Sequence, residues 1–119
     1  MKTSELTGAA LDWAVAKCES IEGKIAILKD GDAIVLYLST LLNQYHPSTS
    51  WAQGGQIVER EGIAVQPVDY LKGRKWLAGI NGQELQEQPH VGETPLIAAM
   101  RCYVSSKLGD EVEIPKGLS

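Results

Sequence analysis

Apolar residues near the start of the chain recur at helical spacing: Ala10, Leu11, Ala14, Val15, Cys18 and Ile21 share one face at about 100° per residue. Thr3, Ser4 and Thr7 offer capping oxygens before that stripe, which predicts a first helix reaching Cys18 or Ser20. Trp13 falls outside the stripe, near Leu6 and Lys17, where either a neighbouring loop covers it or a partner meets it. The period then changes. Ile25 to Lys29 and Ala33 to Leu38 are rich in residues that pack well in sheets, and the intervening Asp-Gly accepts the positive φ of a tight reversal. The second run is apolar almost throughout, as expected of an interior strand or one covered on both faces. "STLLNQYHPSTS" then leaves the pattern for a loop, since Pro47 discourages helix at His46.

Farther on, "IAVQPV" reads as a short strand with Pro67 at its end or on an exposed edge. "RKWLAGI" reads as another strand, followed by a turn at Asn81-Gly82, while "QELQEQPH" is polar and suggests no particular element. The last helix has the clearest boundaries. Thr94 is a good N-cap, Pro95 occupies the first helical position, where a missing N–H costs nothing, and Gly109 suits a left-handed cap. Leu96, Ile97, Ala99, Met100, Tyr103, Val104 and Leu108 cover about half of its circumference, so this helix is expected to be packed against other elements. "DEVEIP" alternates and predicts a terminal strand. The expected fold class is α+β: a single domain over residues 1–119, with a small mostly antiparallel sheet, an N-terminal helix and a well-capped C-terminal helix.

Composition adds mainly exclusions. With 119 residues, 44% hydrophobic and 22% charged, the chain can bury a core without staples. A net charge of -4 argues against duplex nucleic acid and against anionic membranes, both of which need a basic field. Lys72, Arg74 and Lys75 form the only concentrated positive patch, read as a solvated loop ahead of a phosphate site. Cys18 and Cys102 are too few for a disulfide framework and suit buried thiols in a reducing cytoplasm. No apolar run spans a bilayer, and Glu5 and Asp12 interrupt any signal-type segment.

The most suggestive stretch is "STSWAQGGQIVEREG", residues 48 to 62. Taken as a short helix from Gly55 to Glu61, ended by Gly62, it leaves first-turn N–H groups without intrahelical partners. Gly54 and Gly55 permit close approach to that backbone, and Ser48, Thr49 and Ser50 are nearby donors, a cradle for an anion or a carbonyl-rich group. Trp51, with Tyr45 and His46 behind it, offers a flat face for stacking, and Gln53 and Arg60 extend the candidate site. The structural alternative is equally concrete. Ser, Thr and Gly before a helix are ordinary cap and turn residues, and Trp51 can anchor a long loop. The spacing is neither that of a P-loop nor that of a dinucleotide fingerprint.

Other chemistry finds little support. His46 and His90 both neighbour prolines in expected loops, and the cysteines sit on packed helices, so no metal site is expected. A Cys-His nucleophile pair fails for the same reason. Glu59 and Glu61 point about 200° apart on a helix, which rules out an acid/base pair by spacing. Arg101 can reach a carboxylate, a carbonyl or an anion, and Lys107 can pack its stem and turn its ammonium outward. Trp76 after "KGRK" is where basic and aromatic residues meet, a weak basis for single-stranded nucleic acid.

"MKTSELTGAALDWAVAKCE", "STSWAQGGQIVEREGI" and "GETPLIAAMRCYVSSKLGDEVEIP" together span more than half of the chain and resemble the NinX-type proteins of tailed bacteriophages. In that family an acidic residue commonly precedes the tryptophan and a proline follows the glycines; here Ser50 and Gln56 stand there. The resemblance implies a phage accessory role in the infected cell's cytoplasm, and it carries over no catalytic residue. The expected function is therefore non-enzymatic and cofactor-free. Ser50, Trp51, Gln53, Gly54, Gly55, Arg60 and Trp76 are expected to bind a small anionic or nucleotide-like ligand, or alternatively to dock on a host or phage protein. A homodimer is compatible with the sequence, although no heptad or exposed apolar stripe specifies one.

Overall fold

The computed structural model describes residues 1–38 and 43–118. A turn of 3-10 helix at Thr3–Glu5 precedes α1 (Gly8–Cys18), and a second at Glu22–Lys24 leads into β1 (Ile25–Asp30) and β2 (Ala33–Leu38). After β3 (Asn43–Gln44) come α2 (Trp51–Glu61), β4 (Ala64–Tyr70), β5 (Gly73–Gly79), α3 (Gly82–Glu87), β6 (His90–Gly92) and α4 (Pro95–Leu108). The fold is α+β, as expected, but the strands divide into two sheets: β1-β2-β3 and β4-β5-β6, both antiparallel. β2 is the interior strand of the first. β4 is an edge strand of the second, which accommodates Pro67, a residue unable to donate to a ladder.

Two tight reversals set the registers. In β1-β2, Asp30 faces Ala33 across a two-residue turn in which Gly31 has φ 64°. In β4-β5, Tyr70 faces Gly73, whose φ of 122° lets the chain re-enter the ladder. The part of the expected loop at positions 39–42 lies outside the described residues.

α4 holds the molecule together. It packs against α1, α2, β4, β5 and β6, and its buried set is wider than a single stripe: Leu96, Ala98, Ala99, Met100, Cys102, Tyr103 and Val104. The Thr94 hydroxyl accepts the Ile97 N–H at 3.1 Å, with Pro95 in the first turn. α1 brings Leu11, Ala14 and Val15 to the same core, joined by Leu36, Ile57 and Ala78. Trp13 is half-buried against this cluster, with the Lys17 ammonium 5.7 Å from its ring centre.

Four local expectations are corrected. Asn81-Gly82 is not a hairpin turn: the Asn81 side chain accepts the Glu84 N–H and caps α3, so "GQELQE" is helical. "DEVEIP" forms no strand beyond one bridge between Glu111 and Lys2, because the chain end only touches the amino-terminal segment. Gly109 has positive φ but ψ of -162°, outside the left-handed helical region, and its carbonyl accepts the Thr3 hydroxyl at 2.7 Å. α2 begins at Trp51, not at Gly55. That last difference changes the meaning of the whole 48–62 stretch.

Candidate functional site

The reason α2 starts early is legible in its bonds. The Ser50 Oγ accepts the Gln53 N–H at 3.4 Å, and the Ser50 carbonyl accepts the Gly54 N–H at 2.7 Å. The Gln53 side chain is equally occupied, its Oε1 accepting the His46 N–H at 2.7 Å and its Nε2 donating to the Gln44 carbonyl at 2.8 Å. Gly54 is buried. A Cβ there would run into the Pro47 carbonyl and come within 2.9 Å of Leu96 Cδ2, so the glycine lets the 46–50 loop lie directly on the helix. The sequence-level anion cradle is thereby corrected: Gly54 and Gly55 are inside the helix, and the Gly54 amide is already bonded.

Beneath this loop lies a group that periodicity did not single out. Asp12, 5% exposed, accepts the Ser48 N–H on Oδ1 at 2.8 Å. Burial pushes its carboxyl up to about 6, against the opposing effect of the Ser48 N–H. The Ser48 hydroxyl is buried with no hydrogen-bond partner among the described residues.

Trp51 is unlike its neighbours. Its indole is 55% exposed at the first position of α2. One residue on, Ala52 belongs to the rim of a groove of about 440 Å³, whose other walls include Glu19, Tyr45, Gln53, Gln56, Ile57 and Arg60. Of the expected site residues, the groove thus gathers Gln53 and Arg60; Trp51 and Ser50 are not among its walls. Trp76 does not line it; the ring is half-buried in β5 and packs against the core.

Arg60 is held on several sides. Its Nη1 and Nη2 bond the two Glu19 oxygens at 3.0 and 2.9 Å, its Nε bonds Glu61 at 3.0 Å, and Nη2 bonds the Tyr103 hydroxyl at 3.1 Å. That hydroxyl in turn donates to Glu19 at 2.7 Å. Burial alone raises the Glu19 carboxyl, but the bonds from Arg60 and Tyr103 outweigh it and leave the group below its ordinary range. In the groove the Arg60 charge is thus taken up by Glu19, which lines it, and by Glu61 beside it, so little free positive charge is left for a phosphate. Tyr103→Phe keeps the ring and removes only the shared hydroxyl. It is expected to cost roughly 1.5 kcal/mol in urea denaturation, because two charged partners lose one common bond.

Elsewhere the basic cluster proves largely paired: Arg74 with Asp69 at 2.7 Å and Lys75 with Glu93. At that hairpin tip Tyr70 and Leu71, with Val91 from β6, leave an exposed apolar surface around a hollow of about 540 Å³. Arg101 bonds the Leu6 and Val91 carbonyls, each at 2.8 Å, so it ties backbone together. Lys107 lies 3.6 Å from Glu61.

Residues 2–107 match the family model described as Bacteriophage P22, NinX. The chain belongs to the NinX family. Among curated proteins no relative matches it. The matched span of this NinX-family chain runs from before α1 to the last turn of α4, so the 48–62 stretch and the groove are within it.

One cluster in this NinX-family fold escaped the sequence altogether. Glu84 from α3, His90 at the start of β6 and Cys102 from α4 converge, their candidate ligand atoms all within 4.8 Å of one another. No metal site is expected from prolines beside the histidines and cysteines on packed helices, yet one histidine and one cysteine meet a carboxylate here. His90 begins a strand, and only the packing of α3 on β5, and of β5 and β6 on α4, brings the three together. Burial, followed by the Glu84 contact, pushes the Cys102 thiol up to about 12, while burial raises Cys18 to about 11. Neither is an activated nucleophile.

Proposed function

We propose that this phage protein acts without turnover, inside the infected cell, by docking on a protein partner through the outer face of α2. The observation that carries the reading is the position of Trp51, a large indole more than half exposed while the polar groups around it are satisfied internally. Interfaces concentrate their energy in such aromatic anchors, with polar groups around them, and Gln56 and Glu59 are exposed polar residues farther along the same helix. The partner that fits presents an apolar pocket for the indole and hydrogen-bonding groups for those two residues. No helix among the described residues is long and apolar enough to cross a membrane, in keeping with a partner met in the aqueous phase.

Trp51→Ala tests the reading. The substitution is expected to abolish retention of a host or phage protein that the wild type holds, and binding of that protein once purified, while changing fold stability by no more than about 1 kcal/mol. Equal binding by both forms would remove α2 as the docking face.

The groove supports a second reading, a small ligand bound between Tyr45 and the Gln53, Gln56 and Arg60 side of α2. With Glu19 paired to Arg60, and Glu61 shared by Arg60 and Lys107, the field there is close to neutral and favours an uncharged hydrogen-bonding molecule over the nucleotide-like anion expected from the sequence. Such a ligand would raise the melting midpoint with the logarithm of its excess over Kd, and a panel without any shift would leave protein docking alone.

A further inference from the structure

Cys102 lies at the surface of the core, its Sγ 3.4 Å from Glu84 Oε1. A thiol donating to a carboxylate explains that pair, but it does not explain His90. The Nε2 of His90 stands 3.6 Å from the same oxygen, just outside hydrogen-bonding range, and faces the same point. A zinc ion with bonds of about 2.3 Å to sulfur and about 2.0–2.1 Å to nitrogen and oxygen spaces tetrahedral ligands by roughly 3.3–3.6 Å. Two edges of that tetrahedron are therefore already present. The third, sulfur to imidazole, is within 4.8 Å and needs only a small turn of His90, whose side chain is 25% exposed.

We propose that Glu84, His90 and Cys102 form a binding site for a divalent transition metal of the zinc class, with solvent at the fourth position. Three further features fit. The Ile80 N–H bonds Glu84 Oε1 at 3.0 Å and orients the carboxylate, as outer-shell donors do in metal sites. A hollow of about 360 Å³ opens on Glu84 and His90, with Ser105, Ser106 and Asp110 across it, so an ion has an entry path and water has room at the open position. The donor set discriminates as well: thiolate with imidazole selects zinc-like ions, whereas magnesium and calcium prefer oxygen alone. Three protein ligands with one open position differ from the closed four-ligand arrangement of a purely structural zinc.

Cobalt(II) is the probe, added to the full chain under reducing conditions. The expected result is one cobalt per chain, with thiolate-to-metal charge-transfer absorption and the intense visible bands of tetrahedral cobalt. Cys18→Ser should leave the spectrum intact, and Cys102→Ser should remove the charge-transfer band. His90→Ala and Glu84→Gln alter partly exposed positions and keep the test valid if Cys102→Ser does not fold. Each should weaken zinc, measured by competition, by more than the ~10–100-fold that loss of an outer-shell partner costs. Absence of the charge-transfer band from folded wild type at excess cobalt overturns the site. So does a band that survives His90→Ala at unchanged affinity, or one that disappears with Cys18→Ser.

Discussion

Gly54→Ala is expected to destabilise the protein by about 3 kcal/mol, and Gly55→Ala, one residue along the same helix, to stabilise it by about 1 kcal/mol. The intrinsic preference is equal at both positions, since alanine is the better helix former in each. What differs is the space. A Cβ on Gly55 would meet only Trp51 Cε3, at an ordinary 3.5 Å, whereas one on Gly54 would enter the Pro47 carbonyl and crowd Leu96. A carbonyl fixed in the backbone cannot swing aside, so relief requires lifting the 46–50 loop from α2, with the loss of its bonds to Gln53 and Asp12. Urea midpoints of the two variants measure the contrast. A stabilising Gly54→Ala would mean that this loop does not rest on the helix.

The second large effect depends on pH. Asp12 has an ordinary carboxyl value of 3.8 and a folded value of about 6, so the folded protein holds this proton more tightly than the unfolded chain. Its favourable contribution is complete below about pH 4 and disappears as pH rises through about 6; above that, folding must bury a charged carboxylate. At 1.36 kcal/mol per unit, the step is about 3 kcal/mol. Asp12→Asn retains an oxygen acceptor for the Ser48 N–H and removes the titration. The variant is expected to match the wild type near pH 4 and to exceed its stability by up to about 3 kcal/mol at pH 8. Glu19 and Glu61, held below their ordinary range by Arg60, act in the opposite direction at lower pH and cancel in the difference. Parallel stability curves for the two proteins from pH 4 to pH 8 would contradict a buried, proton-binding Asp12.

Both effects concern residues whose role was obscure in the one-dimensional pattern, and the reason is instructive. Gly54 is read as an exposed amide in a helix start because Gly-Gly is a poor helix interior. Its real value lies in having no side chain where Pro47 passes. Asp12 is a polar residue beside an apolar stripe, and nothing local reveals that Ser48, 36 positions away, covers it. Ser50 and Gln53, expected at a binding site, are occupied in the structure by capping and loop bonds. Of the expected residues on α2, Trp51 and Arg60 are the exposed ones, and Arg60 is held by Glu19, Glu61 and Tyr103.

The local code of this chain was sufficient for α1, β1, β2, β4, β5 and α4, through the Thr94 cap, the turn glycine at 31 and the change from helical to strand period, but the Ser50 and Asn81 caps read locally as loop and turn. Those signals act over a few residues and need no knowledge of the rest of the chain, and the family membership was visible at the same level. Tertiary structure decided the division into two sheets, the covering of Asp12, the neutralisation of Arg60 by Glu19 and the meeting of Glu84, His90 and Cys102. Each depends on segments far apart in the chain being brought together by burial against α4, and burial is not directional. Hydrophobic pattern states that a face must be covered, while shape alone selects what covers it.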